Sequence, residues 1–267
     1  MQAFWLRRYN FTAVPRLDMV PFSKGVQPVS NVSPQQYREV TVKMINHYRA
    51  AGPIETKQRT YRPVLIGHGW CAEVHRLAES AFRLVDTGFA HEAHILLRTM
   101  FETTISLHWL SQKGDAGALG VFAEGDRLNR ASAVDLETAF SLPQELIDTI
   151  KNQPVSRTDE SEIFRRFQAQ CDEIDPKKQL YSVYRHLCGY AHPSTVGAFA
   201  FVEPSTEPVS LRSTPRTSDS IVAVTAAMCV LWAGRAFDEM VNGKPRKQFL
   251  RAVARDVALT PILPALR

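Results

Sequence analysis

The sequence predicts an all-α helical bundle, and three observations carry that prediction. Apolar residues recur at helical spacing over stretches too long for strands. Cap and stop signals punctuate those stretches. Two of them, near residues 95–110 and 221–234, are apolar around most of their circumference, as the central helices of a bundle are.

Taken in order, residues 1–33 carry Pro15, Pro21 and Pro28 with no sustained period and read as an N-terminal arm. Its aromatic residues Phe4, Trp5, Tyr9, Phe11 and Phe22 predict that it packs on something. Ser33-Pro34 joins a side-chain cap to a proline at the first helical position, and starts a helix expected to reach about residue 51, before Gly52-Pro53. A long helix is expected over 62–86, ended by Gly88. The next spans 90–112 and stops at Lys113-Gly114; residues 115–140 form another, weakened by Gly117, Gly120 and Gly125. Shorter helices are expected over 143–152 and 160–174, the latter stopped by Asp175-Pro176.

A helix over 177–192 follows. Ala198–Val202 and Val209–Leu211 are short extended candidates, so a small hairpin or lid is expected near 198–212. Ser218 caps a last core helix that runs to Val241 and ends at Asn242-Gly243. The domain reading is therefore an arm (1–33), one helical domain (34–243) and a basic amphipathic tail (244–267) with Lys244, Arg246, Lys247, Arg251 and Arg255.

Thirty-two basic and 27 acidic residues leave a net charge of +5, which permits a polyanionic partner without requiring one. The four cysteines, Cys71, Cys171, Cys188 and Cys229, form no C-x-x-C pair, so buried thiols and a cytoplasmic location are expected. The apolar run 221–234 is shorter than the ~18 residues of a membrane span, and a buried core helix is the better reading. No G-x-S-x-G, phosphate-loop lysine motif or G-x-G-x-x-G is present. His91 and His94 lack the spacing of a metalloprotease pair, and neither a metal nor another cofactor is expected.

The residues with most chemical content lie in Tyr184-Arg185-His186-Leu187-Cys188-Gly189-Tyr190-Ala191-His192-Pro193. His192 follows Arg185 by seven positions, so the two share a helix face with backbones ~10 Å apart. Arginine can hold a phosphate with its planar fork and offset charge in a transition state. Histidine can move a proton at neutral pH. Pro193 disfavours helical geometry at His192, which puts the imidazole at a helix end. The simpler alternative makes His192 a capping residue and Arg185 the partner of a surface carboxylate. On the helix over 90–112, Arg98 and Glu102 are four apart and stack on one face, with His94 one turn before them. They form either a structural bridge or part of a shared cleft with Arg185 and His192.

Arg185 and His192 resemble the R-x(4–6)-H motif of the HEPN superfamily of helical bundles. Ala93-His94-Ile95-Leu96-Leu97-Arg98-Thr99-Met100-Phe101-Glu102, followed later by His192-Pro193-Ser194, is similar to a bacterial domain-of-unknown-function family, the one numbered five-six-seven-seven in that series. The resemblance covers roughly residues 60–240. It implies a HEPN-like core and a metal-independent ribonuclease of toxin or phage-defence type, acting on RNA as a homodimer. An antitoxin or defence partner protein and no membrane are also implied. Arg185, His192, Glu102 and Arg98 are the implied catalytic residues; Tyr184, His186, Tyr190 and His94 are the candidate substrate-binding side chains. The sequence departs from the HEPN pattern at His186, where a polar residue such as asparagine is common, and the six-residue gap is at the long end. The alternative is a non-catalytic binding or scaffold protein in which Arg98, Glu102, Arg185 and His192 fix the bundle.

Overall fold

Ser33 starts the fold as its sequence predicts. Its hydroxyl accepts the Gln36 N–H (3.2 Å), and the Gln36 side chain accepts the Ser33 N–H (2.7 Å), closing a capping box with Pro34 as the first helical residue. The structure is a computed structural model that describes residues 32–52, 54, 61–139, 143–152, 157–203, 210–215 and 219–266. The expected N-terminal arm up to residue 31 lies outside them, as does the turn expected at 204–208.

The elements are α1 (Pro34–Arg49), α2 (Tyr61–Asp86), α3 (Ala90–Ala139), α4 (Gln144–Lys151), α5 (Asp159–Arg165), α6 (Phe167–Ile174), α7 (Gln179–Ala191), α8 (Thr195–Phe199), β1 (Val202–Glu203), β2 (Ser210–Leu211), α9 (Asp219–Met240) and α10 (Lys247–Asp256). An all-α bundle is thus the observed architecture, with one antiparallel two-residue ribbon that pairs Val202 with Leu211. Ala198 and Phe199, expected to be extended, are instead helical in α8: Ser194 caps that turn by accepting the Gly197 N–H (3.1 Å). The helix expected over 160–174 breaks at Arg166, whose backbone is extended.

α2 and α3 form the most extensive pair, and α9 packs across α1, α2 and α3. α9 is buried nearly all round. By length and composition it could cross a membrane, yet most of it lies under other helices. Phe101, Trp109 and Phe237 are the largest fully buried side chains at the centre. The four cysteines are unpaired.

Two glycines set the course of α3. Gly114 has φ 59° and ψ −133°, a conformation that L side chains resist, and turns the helix at the stop signal the sequence predicts. Gly120 is a contact point where weakness is the sequence-based expectation. A Cβ there would lie 2.9 Å from the backbone carbon of Glu160, so its absence lets α5 sit against α3.

The C-terminal segment shares the bundle's core. Leu250, Val253, Ala254, Val257, Leu259 and Leu263 are buried with it. The Trp232 indole N–H donates to the Thr260 carbonyl (2.8 Å), and His108 Nε2 donates to the Pro264 carbonyl (2.6 Å). Its basic residues divide accordingly: Arg251 and Arg255 are exposed, Lys244 pairs with Glu239, and Arg246 is buried.

Candidate functional site

α7, the helix that carries the motif, is capped from a distance. Lys178 at its N-cap position is left-handed (φ 60°) and offers no side-chain cap. Asp175 supplies it: Oδ2 accepts the N–H groups of Gln179 (2.6 Å) and Leu180 (3.0 Å), and Oδ1 accepts that of Lys177 (3.1 Å). A buried carboxylate at a helix N-terminus satisfies orphan donors and complements the dipole. Asp175 reads in the sequence only as a stop for the preceding helix; its second role depends on the turn through Pro176.

The inner face of α7 meets α3 along a row of polar and aromatic contacts. Arg98 Nη2 donates to the Tyr184 hydroxyl (2.6 Å) and pairs with Glu102 (3.2 Å). Its guanidinium also lies over the Tyr184 ring, 5.2 Å from the centroid. The Cys188 thiol sits beside both groups. Phe167 closes on the other side of Tyr184 at 4.4 Å, and Tyr181 stacks at 6.0 Å. Burial raises the Tyr184 phenol, partly opposed by the Arg98 hydrogen bond.

One turn toward the N-terminus of α3, His94 stacks on Tyr190 with centroids 4.4 Å apart. His94 Nδ1 donates to the Ala90 carbonyl (2.9 Å), which fixes its tautomer. His91 and His186 meet Tyr190 edge-on. Burial lowers the pKa of both His94 and His186, so these imidazoles are held neutral. The Glu102–Arg98–Tyr184 group and the His94–Tyr190–His186 group thus form two adjoining patches of one α3–α7 seam.

Arg185 and His192 stand apart from that seam. Both are exposed, and among the described residues neither side chain makes a hydrogen bond or ion pair. His192 caps α7 with extended backbone (φ −120°, ψ 155°), as a residue before proline should, and its own N–H donates to the Cys188 carbonyl (3.1 Å). Ser194 donates its hydroxyl proton to the Gly189 carbonyl, so the His-Pro-Ser segment is a built corner between α7 and α8. The structure therefore gathers Arg98, Glu102, Tyr184, His94, His186 and Tyr190, and leaves Arg185 and His192 facing solvent on the outer side of the same helix. Among the described residues no three His, Cys, Asp or Glu side chains gather as a metal-holding group.

A family model described as a family of unknown function (DUF5677) matches residues 64–208, more than half of the chain. That range holds both motifs and runs from the first turn of α2 past β1. No curated protein and no solved structure matches the chain.

Proposed function

We propose, from the premise that the chain belongs to the family of unknown function DUF5677, that it is a HEPN-like, metal-independent endoribonuclease whose working pair is Arg185 and His192. One observation carries the reading: both side chains are exposed and free of partners among the described residues, Arg185 midway along α7 and His192 at its C-cap, while the other face of that helix is fixed to α3. A phosphate can reach them without displacing a structural contact. His192 takes the proton of an RNA 2′-hydroxyl as that oxygen attacks the adjacent phosphorus. Arg185 holds the non-bridging oxygens and offsets their growing charge. The P–O5′ bond breaks as the P–O2′ bond forms, and the leaving 5′-oxygen takes a proton from solvent water, giving a 2′,3′-cyclic phosphate and a free 5′-hydroxyl.

Arg98, Glu102 and Tyr184 act as positioning residues that hold α7 in place. A pair on an open surface lacks walls, and a second copy of the chain, related by a two-fold axis, would supply them. This reading places the protein in the cytoplasm, where unpaired thiols persist, with RNA as substrate and an antitoxin or defence protein as partner.

The second reading is a non-catalytic binding or scaffold protein. It is favoured by the mutual engagement of Arg98, Glu102 and Tyr184, which spends these groups on one another across the seam. Incubation of the chain with structured RNA in the presence of EDTA separates the two. Cleavage with cyclic-phosphate ends, lost by at least about 100-fold in His192→Ala and Arg185→Ala chains of unchanged melting temperature, is the expected result. Equal behaviour of all three chains would sink the nuclease.

A further inference from the structure

His47 near the C-terminal end of α1, residues 50–52 and 54, and Val241, Asn242, Pro245 and Arg246 after α9 line a cleft of about 420 Å³. Every residue that lines it lies outside the family match at 64–208. Arg246 belongs to its wall and is only 5% exposed. Its Nε and Nη1 are buried without a hydrogen-bond partner, and no guanidinium donor of Arg246 bonds to any described residue. What it has instead is two aromatic faces, Tyr48 at 5.4 Å and Phe237 at 5.5 Å.

The nearby acids are engaged elsewhere. Asp238 Oδ1 accepts the backbone N–H of Arg246 (2.9 Å), and Asp238 Oδ2 faces Arg235 Nη1 (3.4 Å). Glu239 takes Arg235 Nη2 (2.8 Å) and Lys244. Asp238 and Glu239 thus make their side-chain ion pairs with Arg235 and Lys244; Asp238 also acts on Arg246 electrostatically, but among the described residues no carboxylate bonds its guanidinium. The other polar neighbours add no negative charge near pH 7. Burial pushes the Cys71 thiol up to about 12, raises the Tyr48 phenol, and lowers His75 to about 4. Arginine cannot shed its proton to escape this position. Aromatic faces return less than the burial of a full charge costs.

We propose that this cleft binds a small organic oxyanion, a carboxylate or phosphate whose charged head pairs with Arg246 and whose apolar body lies against Ile54, Val241 and Pro245. The volume falls within the range of small-molecule sites, roughly 300–1,000 Å³. The site uses no residue of α7, so it stands or falls independently of the nuclease reading.

Thermal melts of the full chain in phosphate-free buffer test it, with phenyl phosphate, phenylacetate and inorganic phosphate added at ionic strength held constant by potassium chloride. At least one ring-bearing anion should give a saturable rise of about 5 °C, larger than that from inorganic phosphate. Which of the two does so tells a phosphate head from a carboxylate. Arg246→Met keeps the stem against the rings and removes the charge. It should melt no lower than the native chain without anion, and lose the anion-dependent rise. Ile54→Glu puts a carboxylate of the chain's own at the cleft and should also abolish the rise, which keeps the proposal open to refutation if Arg246→Met does not fold. The absence of a saturable rise with any of the three anions, or the same rise in either variant, overturns the proposal.

Discussion

Arg98 and Arg246 sit in nearly the same way on a tyrosine, 5.2 Å above Tyr184 and 5.4 Å above Tyr48, yet their surroundings differ. Arg98 has Glu102 at 3.2 Å and a phenol oxygen at 2.6 Å. Arg246 has neither among the described residues. The first cation is a fastener: it ties α3 to α7 and leaves no charge for a ligand. The second is buried more deeply and holds its charge in reserve. Proximity to an aromatic ring does not separate a structural arginine from a binding one, whereas the supply of carboxylate does.

The contrast is most sensitive to Asp238, the buried acid that serves Arg235 with one oxygen and the Arg246 backbone with the other. Asp238→Ala removes from this corner one of the two carboxylates that face Arg235, leaving it Glu239 alone, and takes away the acceptor of the Arg246 N–H. A loss of about 3–5 kcal/mol in denaturant unfolding is expected, the usual consequence of breaking a buried pair from one side. Asp238→Asn keeps an acceptor for the Arg246 N–H and should lose distinctly less. Equal losses in the two variants would mean that the charge, and not the hydrogen bond, matters there.

Acid should expose the same corner. His75 donates Nδ1–H to the Cys71 carbonyl (2.6 Å) and stacks on Tyr48 at 4.4 Å. Its pKa is lowered to about 4, first by burial; Arg246 and Arg49 push the same way, against the Cys71 carbonyl and Glu79. The unfolded chain takes up this proton near pH 6.5, the folded chain only near 4. Between those values the unfolded state binds more protons, so stability is full above about pH 6.5 and falls as the pH drops toward 4. The loss is on the order of 3 kcal/mol from His75. His94 and His108, also lowered by burial, act in the same direction. Urea unfolding at a series of pH values measures the slope, and His75→Gln should make it shallower. A chain equally stable at pH 4.5 and 7 would show that His75 is hydrated rather than buried neutral.

What could be read in the sequence follows a physical boundary. Ser33-Pro34, Gly88, Gly114 and the apolar run in α9 act within a few residues of themselves, so their signals mark the bundle and most of its helix ends. The pairing of Arg98 with Glu102 is likewise local, four residues along one helix. The sharing of Arg98 with Tyr184, 86 residues away, is not written in any spacing. Nor is the burial of Arg246. In the sequence it belongs to a basic amphipathic segment, where charges usually face water. It is covered because α10 folds Leu250 and Val253 into the common core and carries the preceding arginine inward with them. Spacing predicts that Arg185 and His192 share a helix face, but it is silent about which side of α7 looks outward, and both prove exposed.

The smallest expected effect is the one that converts the first arginine toward the second. Glu102→Gln leaves Arg98 with the Tyr184 hydroxyl and no acid. Both side chains of the pair are partly exposed, so water screens them and the loss should be only about 0.5–1 kcal/mol. Tyr184→Phe removes the hydroxyl and keeps the ring under the guanidinium, at about 1 kcal/mol. If the three groups act as one fastener, the double variant should differ from the sum of the two by at least about 0.5 kcal/mol in a double-mutant cycle. If the cycle is additive, Arg98 holds α3 to α7 through two separate contacts, and its resemblance to Arg246 ends at the shared geometry. A coupled cycle would make an acid-free Arg98 a second stranded cation, which the oxyanions used at the Arg246 cleft should then stabilise as well.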